Sequence, residues 1–491
     1  MFNLKNKVAY MRLTSIFVVI AIAAVMITVC IGAGKVTWRE KTLFTPPKPV
    51  KGFCILFSGD WQGRIEPCGC TDRQLGGIDR RTRTIKMLVP GSADGLLLET
   101  GPIIEDTSRP SLLKLLAFMQ SMKYLNYDAV SLTGIELIKL VEELGMDPAD
   151  LPTILCTNMD KDQRELYPAV DHISKKINHK GATLDCVVMA VNDPATLKYD
   201  KFIADKLKLS DPKKAVIATL DANGIDSESA NEKLIIVMVP SDNEEVIESL
   251  KEITAIDIIA TKGSTDQPEK VSSFPAVITT GHMGKYIARL DIAASDIEDS
   301  NAYKFSVVDI DAYFPRDPNV LTFIDDYQIS MEMEKIIEDE KAIIRMPLKN
   351  ADNPFAGNSS CGSNADCHGH EEVIKVWKTL KHAKAMETLE RKNVNRQYDP
   401  SCVQCHSVGM NYVSGYRSME KTPDLAGVGC EMCHGPGTQH NKNPLEDYKV
   451  VFTRCQQCHD HETSPNFQRD REEYFKRIKH WKNDKLEYWK E

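Results

Sequence analysis

The sequence predicts an α/β layered domain followed by a mainly α-helical, cysteine-rich domain, behind an apolar N-terminal helix. Three observations carry this. Short β-branched runs alternate with helical patterns between residues 52 and 312. Eight of the 14 cysteines fall between positions 361 and 458. An uncharged, mostly apolar run extends from about Leu13 to Gly34. Alternating strand and helix patterns are those of a layered α/β domain. The cysteine clustering is unlike the scatter of core thiols.

The N-terminal run is long enough to span a bilayer. Lys5, Lys7 and Arg12 precede it, and basic residues in that position stay in the cytoplasm and send the rest across. A cleaved signal peptide is the rival reading. The run is long for that role and no small-x-small site follows it. Cys30 in "ITVC" is a poor lipid-attachment site, because larger β-branched residues stand before it. Both main readings export the bulk of the chain, so the expectation is an anchor over 1–35 with the remainder on the periplasmic or equivalent non-cytoplasmic side.

At 491 residues the chain accommodates two or three domains. A net charge of −9 argues against a nucleic-acid partner. Residues 351–491 balance 20 basic against 20 acidic side chains, so the excess acid lies in 1–350.

Within 52–312, "GFCILFSGD", "GLLLETG", "YDAVSLTG", "KLIIVMVPS", "IDIIATKG" and "FPAVITTG" read as strands ending in turn residues. "RPSLLKLLAFMQSMKYLN" and "NEEVIESLKEI" read as helices. "LTFIDDYQISMEMEKIIEDEKAIIRM" (321–346) has neither Gly nor Pro and predicts a helical linker over 313–350. "PLKNADNP" then breaks it before the cysteine-rich unit over 351–485.

That last unit carries the chemistry. Cys402-Val-Gln-Cys405-His406, Cys430-Glu-Met-Cys433-His434 and Cys455-Gln-Gln-Cys458-His459 repeat C-x-x-C-H, the attachment signature of c-type haem. Two thiols add to the haem vinyl groups and the following histidine ligates iron from one face. Zinc held by Cys402, Cys405, Cys430 and Cys433 is the alternative, and it leaves the histidine after each pair unexplained. A fourth stretch, Cys361-Gly-Ser-Asn-Ala-Asp-Cys367-His368, keeps the Cys-His ending but separates its cysteines by five residues. Doubling a spacer adds only about 0.6 kcal/mol of loop-closure cost. Gly362, Ser363, Asn364 and Asp366 suit an outward loop, and the stretch reads as a fourth haem site. Single-cysteine attachment through Cys367, or a lost haem, is the alternative. His370, His382, His440, His461 and His480 remain as possible second axial ligands. His382 falls in "EEVIKVWKTLKHAKAMETLERK", predicted as one helix from about 371 to 392, with Val373, Trp377 and Leu380 on one face and His382, Met386 and Leu389 on another. His370 and His461 read as surface residues.

"AGNSSC…CHGHEEVIKVWKTLKHAKAMETL", "DPSCVQCHSVGM", "PDLAGVGCEMCHGPGTQH" and "CQQCHDHETSPNF…IKH" together resemble the cytochrome c-554 family of multihaem cytochromes. The resemblance implies about four haems c, with His368, His406, His434 and His459 as proximal ligands. It further implies His382, His440 and His480 as distal ligands, leaving one iron five-coordinate.

The front domain resembles the metallophosphatase fold of secreted nucleotidases, on "SGDWQGRIEP…GGIDRRTRTI" and "TTGHMGKYIARLDI". That resemblance implies a two-metal centre. Asp60 keeps the first ligand position. Gln62, Pro102, Gly134, Ile135, Gly263 and Thr265 stand where further ligands are expected, and proline, glycine and isoleucine offer no side-chain donor. The domain is therefore expected to be a non-catalytic scaffold. Cys68 and Cys70 form a Cys-x-Cys pair in the same loop, read as a disulfide, structural thiols, or a single-metal site with Asp60 or Cys54. The functional expectation is a membrane-anchored electron carrier acting on a redox partner protein, ahead of a haem enzyme with an open axial position and of a phosphohydrolase.

Overall fold

A strand with a continuous apolar run has to be covered on both faces. β1 (Phe53–Ser58), β2 (Gly95–Glu99) and β8 (Lys233–Val239), each polar only at one end, are of that kind. The computed structural model describes residues 52–67, 74–89, 95–199, 205–225, 233–293, 303–363, 371–390, 395–439, 452–464 and 466–479, and in it two stacked sheets meet the requirement.

The first sheet has the order β12-β11-β1-β2-β3-β4-β5, with β3 (Ala129–Ser131), β4 (Ile154–Leu155), β5 (Ala169–Val170), β11 (Tyr286–Ile292) and β12 (Lys304–Asp309). β1 to β5 run parallel, and β11 lies antiparallel to β1 with Phe53 opposite Ile292. The second sheet has the order β10-β9-β8-β7-β6, with β6 (His172–His179), β7 (Ala182–Ala190), β9 (Ile258–Thr261) and β10 (Ala276–Thr279). It is parallel apart from the β6–β7 hairpin.

The period of two sorts the side chains. Phe53, Ile55, Phe57, Leu96 and Leu98 meet Val188, Ile236, Met238 and Ile258 between the sheets. Cys54, Leu56 and Leu97 face outward, onto α1 (Ile78–Leu88), α2 (Arg109–Tyr124) and α3 (Gly134–Glu142). On the far side Val187, Met189, Ile235 and Val237 pack on α4 (Pro212–Ala222) and α5 (Glu244–Lys251). The result is a four-layer α-β-β-α sandwich. All six quoted strand runs and both quoted helices form where the sequence places them. The β6–β7 hairpin has no counterpart in that reading: in β6 only Ile177 is fully buried, so its apolar signal is faint.

The linker differs from expectation. Its helix, α6 (Pro318–Met333), stops well before residue 346 and is followed by turns. Lys335 takes the left-handed conformation, φ 50°, which ends a helix. Val320, Ile324, Tyr327 and Met331 put one face of α6 into the front-domain core. α6 is thus a further helix of that layer.

The C-terminal part consists of short helices: α7 (Asn358–Ser363), α8 (Glu371–Thr379), α9 (Ala385–Leu389), α10 (Pro400–His406), α11 (Cys430–His434), α12 (Phe452–Cys455) and α13 (Arg471–Ile478). The single helix expected over 371–392 is broken at 380–384 into α8 and α9. The break has a cause in its partners: the His382 carbonyl accepts from the N–H of Val428 at 2.9 Å as well as from Ala385 at 3.1 Å. The backbone of Cys361–Ser363 is helical, where a loop was expected.

Residues 48–491 form one compact unit. Glu66 of the front domain binds Arg316 and Arg396, Lys114 donates to Ser401 at 3.2 Å, and Lys285 pairs with Glu462 at 2.6 Å. The apolar run 13–34, Cys68, Cys70, Cys367, His368, His370, His440 and His480 lie outside the described residues, as does the side chain of Cys361. Among the described residues no helix is long and apolar enough to cross a membrane.

Candidate haem-binding site

Residues at i, i+3 and i+4 of a helix share one face. C-x-x-C-H has that spacing, so a helical turn sets both thiols and the histidine on one side. α10 spans Cys402, Cys405 and His406, and α11 spans Cys430, Cys433 and His434. After α12 the N–H groups of Cys458 and His459 both donate to the Cys455 carbonyl, at 3.2 and 2.8 Å, so the third motif takes the same turn.

Each turn is anchored by an acid, buried in the first two and half-buried in the third. Asp399 caps α10, accepting from the N–H of Ser401 at 2.9 Å. Glu431, inside the second motif, accepts from the N–H groups of Ala356, Gly357 and Gly437 at 2.7, 2.8 and 2.6 Å. Asp460, next to His459, accepts from the N–H groups of Glu462 and Thr463 at 2.9 and 2.6 Å.

The histidines suit iron ligation. His406 Nδ1 lies 2.7 Å from the Ala385 carbonyl. Since a carbonyl only accepts, Nδ1 carries the proton and Nε2 keeps its lone pair for a metal. Burial holds His406 and His459 below the usual imidazole range, and pushes His382 down to about 4 with help from His459 and His406. All three favour the neutral form that binds metals. His459 stacks on Phe467 at 4.7 Å, and His382 stands 6.0 Å from His459 between ring centroids.

The motifs also meet one another. The Cys458 thiol is raised, first by its hydrogen bond with Cys405 and then by burial, and burial pushes Cys433 up to about 12 beside Cys455 and Cys430. Among the described residues no group of three or more Cys, His, Asp or Glu side chains is arranged to hold a metal ion. The apolar core of this part, among the described residues, is small: Ile337, Met386, Leu389, Val403, Val408, Met410, Tyr416 and Leu425 are fully buried. So small a core needs further apolar or covalent support. A large covalently tethered porphyrin supplies both, and the residues present fit haem.

The strand ends of the front domain converge on a second constellation. Asp60 is buried; its Oδ1 accepts from Gln62 Nε2 at 2.6 Å and its Oδ2 from His282 Nδ1 at 2.7 Å. The loop holding Pro102 lies alongside, with Trp61 N–H donating to the Pro102 carbonyl at 3.0 Å. Beneath it Glu99 accepts from Ser58 Oγ at 2.5 Å, Trp61 Nε1 at 3.0 Å and the Gly101 N–H at 3.1 Å. Arg81 lies over Trp61 at 4.0 Å and donates to the carbonyls of Gly284 and Tyr286 at 2.7 and 2.9 Å. Burial raises Glu99 and lowers Arg81. Gly284 is required here: at φ 60° its Cβ would sit 2.3 Å from the Trp61 ring. Where Gly134 and Ile135 open α3, Glu136 is buried and accepts from the N–H groups of Ile103 and Ile104 at 2.6 and 2.8 Å.

Sequence reasoning missed His282; the only signal was a histidine inside the closing "TTGHMGKYIARLDI" stretch. Asp60 and Cys54, the alternative further ligands for a metal at Cys68 and Cys70, stand apart in the fold. Cys54 lies near the opposite end of β1, opposite Asp291, and six residues of strand span about 20 Å.

Comparison with known proteins agrees with the reading of the C-terminal part. The family described as Cytochrome c554 and c-prime matches residues 363–435. Cytochrome c-554 of Nitrosomonas europaea is 40% identical over 101 residues, 18% of this chain and 40% of that protein. The C-type polyheme cytochrome OmcB of Geobacter sulfurreducens is 38% identical over 73 residues, 13% of this chain and 10% of that protein. The chain thus spans less than half the length of these relatives. Among solved structures, the sulfate thiohydrolase SoxB of Thermus thermophilus aligns with 15% identity and TM-score 0.46, covering 59% of this chain and 62% of that one. A 5'-nucleotidase precursor from Thermus thermophilus aligns with 14% identity and TM-score 0.44, covering 68% and 67%. The chain joins a four-layer α-β-β-α sandwich to a C-terminal segment similar to the cytochrome c554 family.

Proposed function

We propose that this protein is a membrane-anchored multihaem c-type cytochrome that passes electrons to or from a redox partner protein through about four covalently bound haems. The observation that carries the reading is the convergence of three C-x-x-C-H turns, with the half-buried His382 beside His459 and His406. Attached haem supplies an iron that cycles between ferric and ferrous states. The chain's own residues tether it through Cys402, Cys405, Cys430, Cys433, Cys455 and Cys458, with Cys361 and Cys367 for the fourth. His406, His434, His459 and His368 would each hold an iron beside their tethering cysteines, and His382, His440 and His480 would serve as the further iron ligands. The relatives' printed names support electron transfer. The Lys5, Lys7, Arg12 and Leu13–Gly34 pattern supports an anchored, non-cytoplasmic placement.

The front domain is a scaffold in this reading. Its first metal-ligand position, Asp60, is occupied by hydrogen bonds from Gln62 and His282.

The mass of the intact, purified protein tests the proposal, read with a reductive titration of its visible spectrum. Four covalent haems and a retained residue 1–35 segment are expected. A protein with no covalent haem overturns the reading, and manganese-dependent cleavage of an aryl phosphate by the full chain overturns the scaffold assignment. An oxidised protein with a high-spin signal that responds to cyanide favours the alternative, a haem enzyme acting on a small nitrogen or oxygen species.

A further inference from the structure

A cavity of about 840 Å³ lies where the strand ends of the front domain face the segment that follows His459. Arg64, Lys285 and His282 line it from one side, Glu462 and Thr463 from the other.

Its charges are mostly matched. Lys285 Nζ pairs with Asp266 at 2.7 Å and with Glu462 at 2.6 Å. Glu66 is held by Arg316 at 2.6 Å and Arg396 at 2.5 Å. Arg64 is different: among the described residues its guanidinium has no hydrogen-bond or ion-pair partner. His282 is oriented, because the buried Asp60 carboxylate holds its Nδ1 at 2.7 Å. Its Nε2 has no partner among the described residues. Among the described residues the cavity therefore presents one unpartnered guanidinium and one fixed imidazole.

The backbone around it is unusual. Asp60, Gln62, Gln74 and Met283 adopt φ values of 48°, 50°, 48° and 56°. Gln74 and Met283 line the cavity, and Asp60 and Gln62 lie against its His282 wall. Side chains rarely take that conformation, and such strain concentrates where ligands are held.

We propose that this cavity binds a small organic carboxylate, paired with the Arg64 guanidinium and hydrogen-bonded to His282 Nε2. A guanidinium fork matches the planar carboxylate with two parallel bonds. With Lys285 shared between two carboxylates, the lining accepts one further negative charge more readily than the two or so that a phosphate group brings. Pro67, Leu75 and Met283 offer apolar surface to the rest of the molecule. The inference goes beyond the electron-transfer reading and does not depend on the haem count.

The carboxylate has two sources, a free acid or a propionate of the haem tethered beside His459. The test uses the full-length, haem-loaded protein. Calorimetric titration with benzoate, and with neutral benzamide as control, reads the free-acid source. Saturable benzoate binding without benzamide binding is expected, weakened at least tenfold in Arg64→Gln and in His282→Asn and unchanged in Lys176→Gln. Lys176 is a surface residue, 72% exposed. If a propionate fills the site, benzoate does not bind the wild type, and Arg64→Gln lowers the midpoint potential of one haem while Lys176→Gln does not. Absence of benzoate binding together with unchanged potentials in both cavity variants overturns the proposal. The visible spectrum and melting temperature establish that each variant is folded, and two independent cavity variants guard against loss of either one.

Discussion

Arg396 and Glu66, 330 positions apart, form a two-pronged ion pair, Nη2–Oε1 at 2.5 Å and Nε–Oε2 at 2.8 Å. The same carboxylate takes Arg316 at 2.6 Å, and its side chain is only 9% exposed. One acid after β1 thus joins the sandwich to the residues just ahead of Cys402. Glu66→Gln is expected to lower stability by about 2 kcal/mol, the scale of a lost hydrogen-bonded charge. A lower denaturant midpoint with unchanged haem content checks it.

Arg81 tests the core beneath Asp60. Its guanidinium is buried, stacked on Trp61 and bound to two backbone carbonyls. Arg81→Ala leaves the Glu99 carboxylate without its positive neighbour, and is expected to destabilise by roughly 3–5 kcal/mol. Chemical denaturation of the purified variant measures it. A change under 1 kcal/mol contradicts the account.

Asp257 sets a pH dependence. Burial pushes its carboxyl up to about 7, against the pull of its hydrogen bond from the Ile235 N–H. The folded value exceeds the unfolded one, so between about 4 and about 7 the folded state holds a proton that the unfolded chain has released. Stability from this group therefore falls as pH rises through that window and levels off above it, by on the order of a few kcal/mol. Asp257→Asn should flatten this part of a stability-versus-pH curve.

Three front-domain thiols should be inert. Burial pushes Cys54 and Cys186 up to about 12 and Cys156 up to about 11. The thiolate is the reactive form, so iodoacetamide at pH 8 is expected to leave them unmodified in the folded protein. All three should label after denaturation, with peptide mass spectrometry as the readout.

His382 bears on the haem sites. Replacing it with alanine is expected to convert one low-spin haem to high-spin in the oxidised protein, seen by electron paramagnetic resonance. His461, whose side chain is 87% exposed, serves as the comparison, and its alanine variant should leave the spectrum unchanged.

The layered fold is plain in the sequence because strands covered on both faces carry continuous apolar runs, as "LIIVMV" shows. The motif turns are equally plain, since C-x-x-C-H spacing is itself helical. Three features are not. β6 reads "HISKKINH" and buries little. The break at 380–384 depends on Val428, a donor 46 positions after His382. The Asp60–His282 bond spans 222 positions, and no local pattern encodes a partner that distant.

Several joints between sandwich and C-terminal segment are ionic, which makes their strength a function of dissolved salt. Exposed charges more than about 10 Å apart are screened at 0.1 M ionic strength, while buried pairs are screened much less. Lys421–Glu338, with the lysine 55% exposed, should loosen first on raising ionic strength. Lys285–Glu462, with both side chains under 20% exposed, and the Glu66 cluster should hold. Brine would thus free the connector's grip on residue 421 while the cavity wall and the Cys402 helix keep their places.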